Sequence, residues 1–270
     1  MSVVLSELKD TGLEVIDFPD DPQFATRRLH DRDVSVQMAG LQRLCHAFVE
    51  KPETILQELV KAAVELCGAD SAGISVERED KTDQEFYHWV ATAGCYSEFL
   101  DAVLPRYPSA CGVCLLRGRP QHFRVSERFF EILGVTAPLV TDGLLFPWEV
   151  DGTRGTIFIM AHGRNEAFDN GDARMMQMLA DFAAMGFRHQ RQQKKLIEQE
   201  RASAAAAMAN ELAHQINNPL QSLTNLVYLA AQGQAGADAK ALGSSLAADV
   251  ERLSGLVNQL LVLPSSGRPQ

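Results

Sequence analysis

The chain has 270 residues, 46% of them hydrophobic and 22% charged, which excludes a disordered, collagen-like or disulfide-dense protein. Its 25 basic and 35 acidic residues give a net charge of −10. That balance excludes a nucleic-acid grip built on phosphate neutralisation, and the basic run at residues 188–195 is too short to offset it.

The length suits two ordinary domains or one large one. No membrane span is expected, because the longest small-residue stretch, residues 202–209, falls far short of the roughly 20 residues a bilayer requires. Acid appears early in the first ten residues, without a basic start and apolar core, so no signal peptide is expected. Five cysteines without an export signal then read as reduced thiols in the cytoplasm.

Residues 1–33 are charged, weakly periodic and broken by Pro19 and Pro22, and are expected to form an N-terminal arm. From Val34 the pattern turns helical. Leu41, Leu44 and Phe48 share a face and, after the break at Pro52, so do Ile55, Leu56, Leu59, Val60, Ala63 and Leu66. Strands follow: Ala72, Ile74 and Val76 alternate, as do Phe86, His88 and Val90. The clearest hairpin mark is Asp151-Gly152 between apolar runs at 144–150 and 155–161, since the favoured tight turn needs positive φ at both central residues. Residues 96–142 form a long insertion in this sheet region, with a helix expected over 127–133, and such insertions commonly hold a ligand.

Beyond Phe168 the chain reads as helix, with Asp169 and Asp172 at its start and Met175, Leu179, Phe182 and Met185 on one face. No Gly or Pro falls between Phe187 and Asn218. A helix of roughly 45 residues, about 65 Å long, survives only by packing on a partner helix, its own copy being the expected one. A Gly-rich break at residues 233–236 precedes a second striped helix carrying Leu242, Leu246, Val250, Leu253, Val257, Leu260 and Leu261. Two such helices predict an antiparallel hairpin, and two hairpins a dimeric four-helix bundle.

The sharpest motif lies on the first of these helices. Leu212, Ile216, Leu220, Leu223 and Val227 define an expected buried stripe. His214 sits two residues from both Leu212 and Ile216, so it points about 160° away, beside Asn217, Asn218 and Gln221. An exposed neutral imidazole is a nucleophile. Pro219 removes the backbone hydrogen bond to the Gln215 carbonyl and kinks the helix one turn later. The plainer alternative is a surface histidine on a bent bundle helix.

Two weaker constellations stand elsewhere. Cys111-Gly-Val-Cys114 is a lone C-x-x-C, half of a zinc site or a redox pair, with His88, His122, Cys95 and Cys67 as the remaining conceivable ligands; ordinary thiols are the competing reading. Trp89, Trp148, Phe146, Phe158 and Tyr87 read as core aromatics rather than a chromophore cage.

ELAHQINNPLQSL (residues 211–223) resembles the phosphoacceptor box of two-component sensor histidine kinases, His-Glu-x-x-Asn/Thr-Pro, through His214, Asn218 and Pro219. VERLSGLVNQLL (250–261) is similar to the closing helix of their dimerisation and phosphotransfer domain. ADSAGISV, PSACGVCLLRGRPQHF and FDNGDARMMQMLADFAA resemble a GAF sensory domain, helices flanking a mainly antiparallel sheet. The resemblance implies an α+β chain: an arm to residue 33, a GAF domain over 34–188, a coiled-coil signalling helix over 189–205, a histidine phosphotransfer hairpin over 206–264 and a tail over 265–270.

The resemblance also implies roles. His214 would accept or donate a phosphoryl group, and Asn218 would position it or water. Partners would be a second copy of the chain, a response-regulator receiver domain and a kinase catalytic domain in trans. Gln215 departs from the family's acid and cannot act as a general base, a contribution typically worth about 10²–10⁴-fold. No ATP-binding boxes or phosphate-cradling Gly loop are found, so autokinase activity in cis is not expected. A non-catalytic dimeric regulator of an intact kinase, or a fragment of a full sensor kinase, is the alternative. Phe168 and Asp172 fit a Phe-x₃-Asp pattern of cyclic-nucleotide-binding GAF domains, but Asn165 is followed by Glu166 where that pattern has Lys, and the cofactor is left unassigned.

Overall fold

A computed structural model describes residues 10–18, 21–27, 33–78, 81–231 and 239–262. The chain divides into two compact units, Met1–Gln193 and Lys194–Gln270.

The first unit is α+β. Seven antiparallel strands, β1 (Leu13–Asp17), β2 (Ser71–Glu77), β3 (Tyr87–Gly94), β4 (Val103–Leu104), β5 (Gln121–Val125), β6 (Val140–Val150) and β7 (Thr153–Ala161), lie in the order β1-β5-β6-β7-β2-β3-β4. The β6–β7 turn is the expected one, with Asp151 at φ 49 and Gly152 at φ 75. Helices α1 (Pro22–Thr26), α2 (Val34–Glu50), α3 (Ile55–Cys67), α4 (Ala110–Arg117) and α5 (Glu127–Leu133) precede the long α6 (Asn170–Ala231) and α7 (Ala239–Val262).

The period-two alternation along the central strands sorts side chains to two faces. Leu144, Phe146, Trp148, Ile157, Ile159 and Ile74 meet the buried stripe of α3 together with Met176, Leu179 and Ala183 of α6. Burying one such aliphatic side chain stabilises by about 1.5–3 kcal/mol. Their neighbours Leu145, Phe158, Met160, Phe123 and Val125 face the other way, toward α4 and α5. Asp169 starts α6 by accepting from Gly171 N at 2.7 Å, and Asp172 accepts from Asp169 N at 3.2 Å. The Phe168–Asp172 pair is therefore a helix start, with Phe168 buried in the helix-side core.

Within the segment expected as an arm, residues 10–18 and 21–27 are described, and they are built into the first unit. Its β1 pairs with β5 from Leu13↔Val125 to Asp17↔Gln121, and Phe24 of α1 is 1% exposed. Two of its acidic residues are satisfied internally. Asp17 is paired with Arg117 and Arg119, and Asp21 with His122.

The second unit contains the C-terminal part of α6 and α7. Its buried line is displaced from the expected stripe. Leu212, Ile216, Leu223 and Leu226 are half-buried and Pro219 is buried, whereas Leu220 and Val227 are exposed. The spacing 212, 216, 219, 223, 226 alternates four and three, a heptad rhythm. On α7, Leu246, Asp249, Leu253 and Leu256 keep the same rhythm. The turn expected at residues 233–236 and the tail at 265–270 lie outside the described residues, as do the side chains of Leu242, Leu260 and Leu261.

Candidate functional site

Between the β-sheet and the α4–α5 side of the first unit lies a cavity of about 320 Å³. Trp89, Tyr96, Phe123, Phe129, Phe130 and Phe158 are among the side chains that wall it. Strand β3 reaches this wall through a bulge: Ile74 pairs with Ala91 and Ser75 with Trp89, leaving Val90 unopposed. A bulge re-aims side chains, and this one gives Trp89 to the cavity while Val90 packs on the helix side. Gly73 supplies room on β2, because a Cβ there would stand 2.4 Å from Phe158 Cζ.

The polar groups of the wall are uncharged. Ser109 caps α4 by accepting from Gly112 N at 3.3 Å, and Tyr96 Oη donates to the Pro138 carbonyl at 2.6 Å. Cys111 Sγ accepts from Thr156 Oγ1 at 3.3 Å. Burial pushes the Tyr96 hydroxyl and the Cys111 thiol above their ordinary values, so both stay neutral at physiological pH. Two of the five aromatics read as core, Trp89 and Phe158, thus line the cavity, whereas Trp148 and Phe146 belong to the helix-side core.

The C-x-x-C pair lies on α4, with Cys111 at the cavity wall and Cys114 fully buried near the Leu145 carbonyl. Burial raises both thiols, which disfavours the thiolate that redox exchange and metal binding require. The conceivable further ligands are dispersed: His88 faces Asp101, Cys95 is exposed, and Cys67 belongs to the helix-side core. Among the described residues no group of three or more His, Cys, Asp or Glu is placed to hold a metal.

Sequence reasoning missed a buried ionic node. Asp142, fully buried, is paired with His122 Nε2 and Arg27 and accepts from Phe168 N at 3.0 Å, while Asp21 faces His122 Nδ1 at 2.9 Å. Burial pushes the Asp142 carboxyl up, but the hydrogen bond and charge of His122, the Arg27 guanidinium and the Phe168 N–H outweigh it and hold the group below its ordinary value. The node fastens α1 to the sheet. Ser71 Oγ also lies 2.8 Å from His162 Nε2, a hydrolase-like pair, yet Ser71 is 0% exposed and is absent from the cavity wall. It ties β2 to the loop after β7.

On α6 in the second unit, His214 and Asn218 are exposed, and Gln215 is half-buried with Nε2 donating to Glu211 Oε1 at 2.8 Å. Pro219 lies within the helix on the buried line. No described helix is long and apolar enough to cross a membrane.

The first unit is thus an antiparallel sheet, helix-packed on one face and hollow on the other. The chain belongs to the GAF domain family, whose model matches residues 51–187. No curated protein matches it. Among solved structures it is similar in fold to the second GAF domain of DevS from Mycobacterium smegmatis, at 21% identity over 54% of this chain and 99% of that one, TM-score 0.42. It is also similar to the GAF domain of a phosphoenolpyruvate-protein phosphotransferase from Coxiella burnetii, at 17% identity over 61% and 99%, TM-score 0.45. A third is the free methionine-R-sulfoxide reductase of Neisseria meningitidis in complex with its substrate, at 15% identity over 62% and 98%, TM-score 0.46.

Proposed function

We propose that the chain is a two-component signalling protein in which the GAF unit senses a small molecule and His214 exchanges a phosphoryl group with a receiver aspartate. The observation that carries this reading is the arrangement on α6: His214 and Asn218 exposed together, opposite a seam that buries Pro219. An unprotonated imidazole nitrogen attacks the phosphorus of an aspartyl phosphate. The P–N bond forms as the P–O bond breaks, and the aspartate leaves as a carboxylate. Asn218 orients the phosphoryl group or water, and a kinase catalytic domain in trans is the other source of phosphate. The protein works as a homodimer, supported by exposed apolar pairs seven residues apart on each helix, Leu220 with Val227 and Val250 with Val257.

The test mixes the purified chain with acetyl phosphate-charged receiver domains from the same genome and follows phosphohistidine by ³¹P NMR. A P–N signal is expected in the wild type and none in His214→Ala; exchange that persists in the variant overturns the reading. One observation favours a second reading, a non-catalytic dimeric regulator. The amide of Gln215 stands where the resembling family has an acid, and it is engaged with Glu211. In that case His214→Ala is silent in a kinase-inhibition assay, while Leu223→Asp, on the seam, abolishes the effect.

A further inference from the structure

We propose that the cavity of the GAF unit takes a neutral, largely aromatic small molecule of two or three rings, and not a nucleotide or other anion. The inference rests on reading that unit as the sensory one and names the chemistry of what it senses.

Size comes first. A dry cavity of about 150 Å³ holds benzene, and this one, at about 320 Å³, is roughly twice as large. Charge comes second. Among the described residues no Lys, Arg, His, Asp or Glu side chain lines the cavity, so an anion placed there would be desolvated without a counter-charge. Access comes third. Val103, Ile132 and Val135 line the same cavity and are 43–45% exposed, giving the ligand an apolar entrance.

The wall also sets the ligand's shape. Trp89 lies 5.0 Å from Phe158 and 6.1 Å from Tyr96, centroid to centroid, so the rings already form an offset cluster into which another flat ring stacks. The buried Trp89 Nε1 meets no acceptor among the described residues. One ether, carbonyl or amine acceptor on the ligand would answer it after a small shift of the ring.

A matched pair of probes tests the proposal on the full chain. N-phenyl-1-naphthylamine is neutral; 1-anilinonaphthalene-8-sulfonate is the same skeleton with one negative charge. In a Trp148→Phe background, Trp89 is the sole tryptophan, and energy transfer from it reports occupancy of the cavity. The neutral probe is expected to bind at one site per chain, at least tenfold tighter than the sulfonate. Ala137→Phe, which fills the cavity from a half-buried loop position, should weaken it at least tenfold. Val135→Asp, at the exposed entrance, should also weaken it and serves if the first variant misfolds.

Equal binding of both probes, insensitivity to both variants, or displacement of the neutral probe by cyclic AMP or cyclic GMP would overturn the proposal. The sensory reading fails separately. If the neutral probe binds as expected but leaves the rate of His214 phosphoryl exchange unchanged, the cavity chemistry stands and the coupling to signalling does not.

Discussion

The two faces of the GAF sheet carry equally apolar side chains and end differently. On one face Leu144, Ile157 and Ile159 are covered by α3 and the start of α6, and no residue of that trio is more than 0% exposed. On the other, Leu145, Phe158 and Met160 from the same two strands meet two short helices that leave about 320 Å³ unfilled. Long helices present a continuous stripe and close-pack; helices of eight and seven residues cannot span a seven-stranded sheet. One face therefore supplies stability and the other leaves a cavity.

The packed face is sealed at one end by charge, and breaking that seal should have the largest effect. Asp142→Asn leaves His122 and Arg27 buried without the carboxylate they share. Losing one partner of a buried ion pair costs about 3–5 kcal/mol, to be read by urea unfolding at pH 7. Asp21 and Asp142 are both held below the ordinary carboxylate value of 3.8. Their stabilisation is thus complete above that value and is lost as pH falls through their lower folded-state values. The wild type should lose stability steeply in that acid window, and the variant less so.

Adjacent leucines of the same strand offer the most direct comparison of the faces. Leu144→Ala removes a side chain surrounded on every side, and its cost belongs in the upper part of the range of about 2–5 kcal/mol seen for buried leucines. Leu145→Ala removes one that borders open space and has fewer contacts to lose, so a cost near the lower end is expected. The neutral naphthylamine should register the second substitution and ignore the first. Equal unfolding costs with equal probe affinities would mean the faces are packed alike.

Much of the packed face was legible in the sequence, and little of the hollow one. The Asp151-Gly152 turn, the α3 stripe and the Asp169 cap are local signals, each contained within about ten residues. Strand β1 was not legible because its partner β5 lies over a hundred residues away and its buried Asp17 meets its counter-charges, Arg117 and Arg119, only in the folded chain. The orientation of Trp89 depends on one bulge, which shifts a strand's parity without leaving a mark in its composition. Leu144 and Leu145 are the same letter; only the lengths of the helices opposite decide which of them lines a cavity. On α6 the residues of the His214 motif were readable, but the seam beneath them was displaced, because a stepping of four and three buries Pro219 where a stepping of mostly four would bury Leu220.

Gly73→Ala should convert part of the hollow face toward the packed one. The new methyl group would press on the Phe158 ring tip, 2.4 Å away, and push it toward the cavity. Overpacking of this kind costs about 1–3 kcal/mol. A fall in naphthylamine affinity larger than the fall in stability explains would show that Phe158 has moved into the binding space. Unchanged affinity would place the adjustment elsewhere.

The smallest effect is kinetic and compares one cysteine from each face. Cys67 is 1% exposed in the packed core, and Cys111 is 5% exposed at the cavity wall. Static exposure barely separates them, but a small neutral thiol reagent such as methyl methanethiosulfonate reaches Cys111 through the cavity mouth and Cys67 only when the helices part. Peptide mapping of partly modified protein should find the exposed Cys45 and Cys95 labelled first, Cys111 next and Cys67 last. Because burial raises the Cys111 thiol above its ordinary value of 9.0, its rate should climb with pH as the thiolate fraction grows. Saturating naphthylamine should slow Cys111 and leave Cys67 alone. Modification of both at one shared rate would instead mean that the reagent enters by opening of the whole unit, and that the hollow face has no entrance of its own.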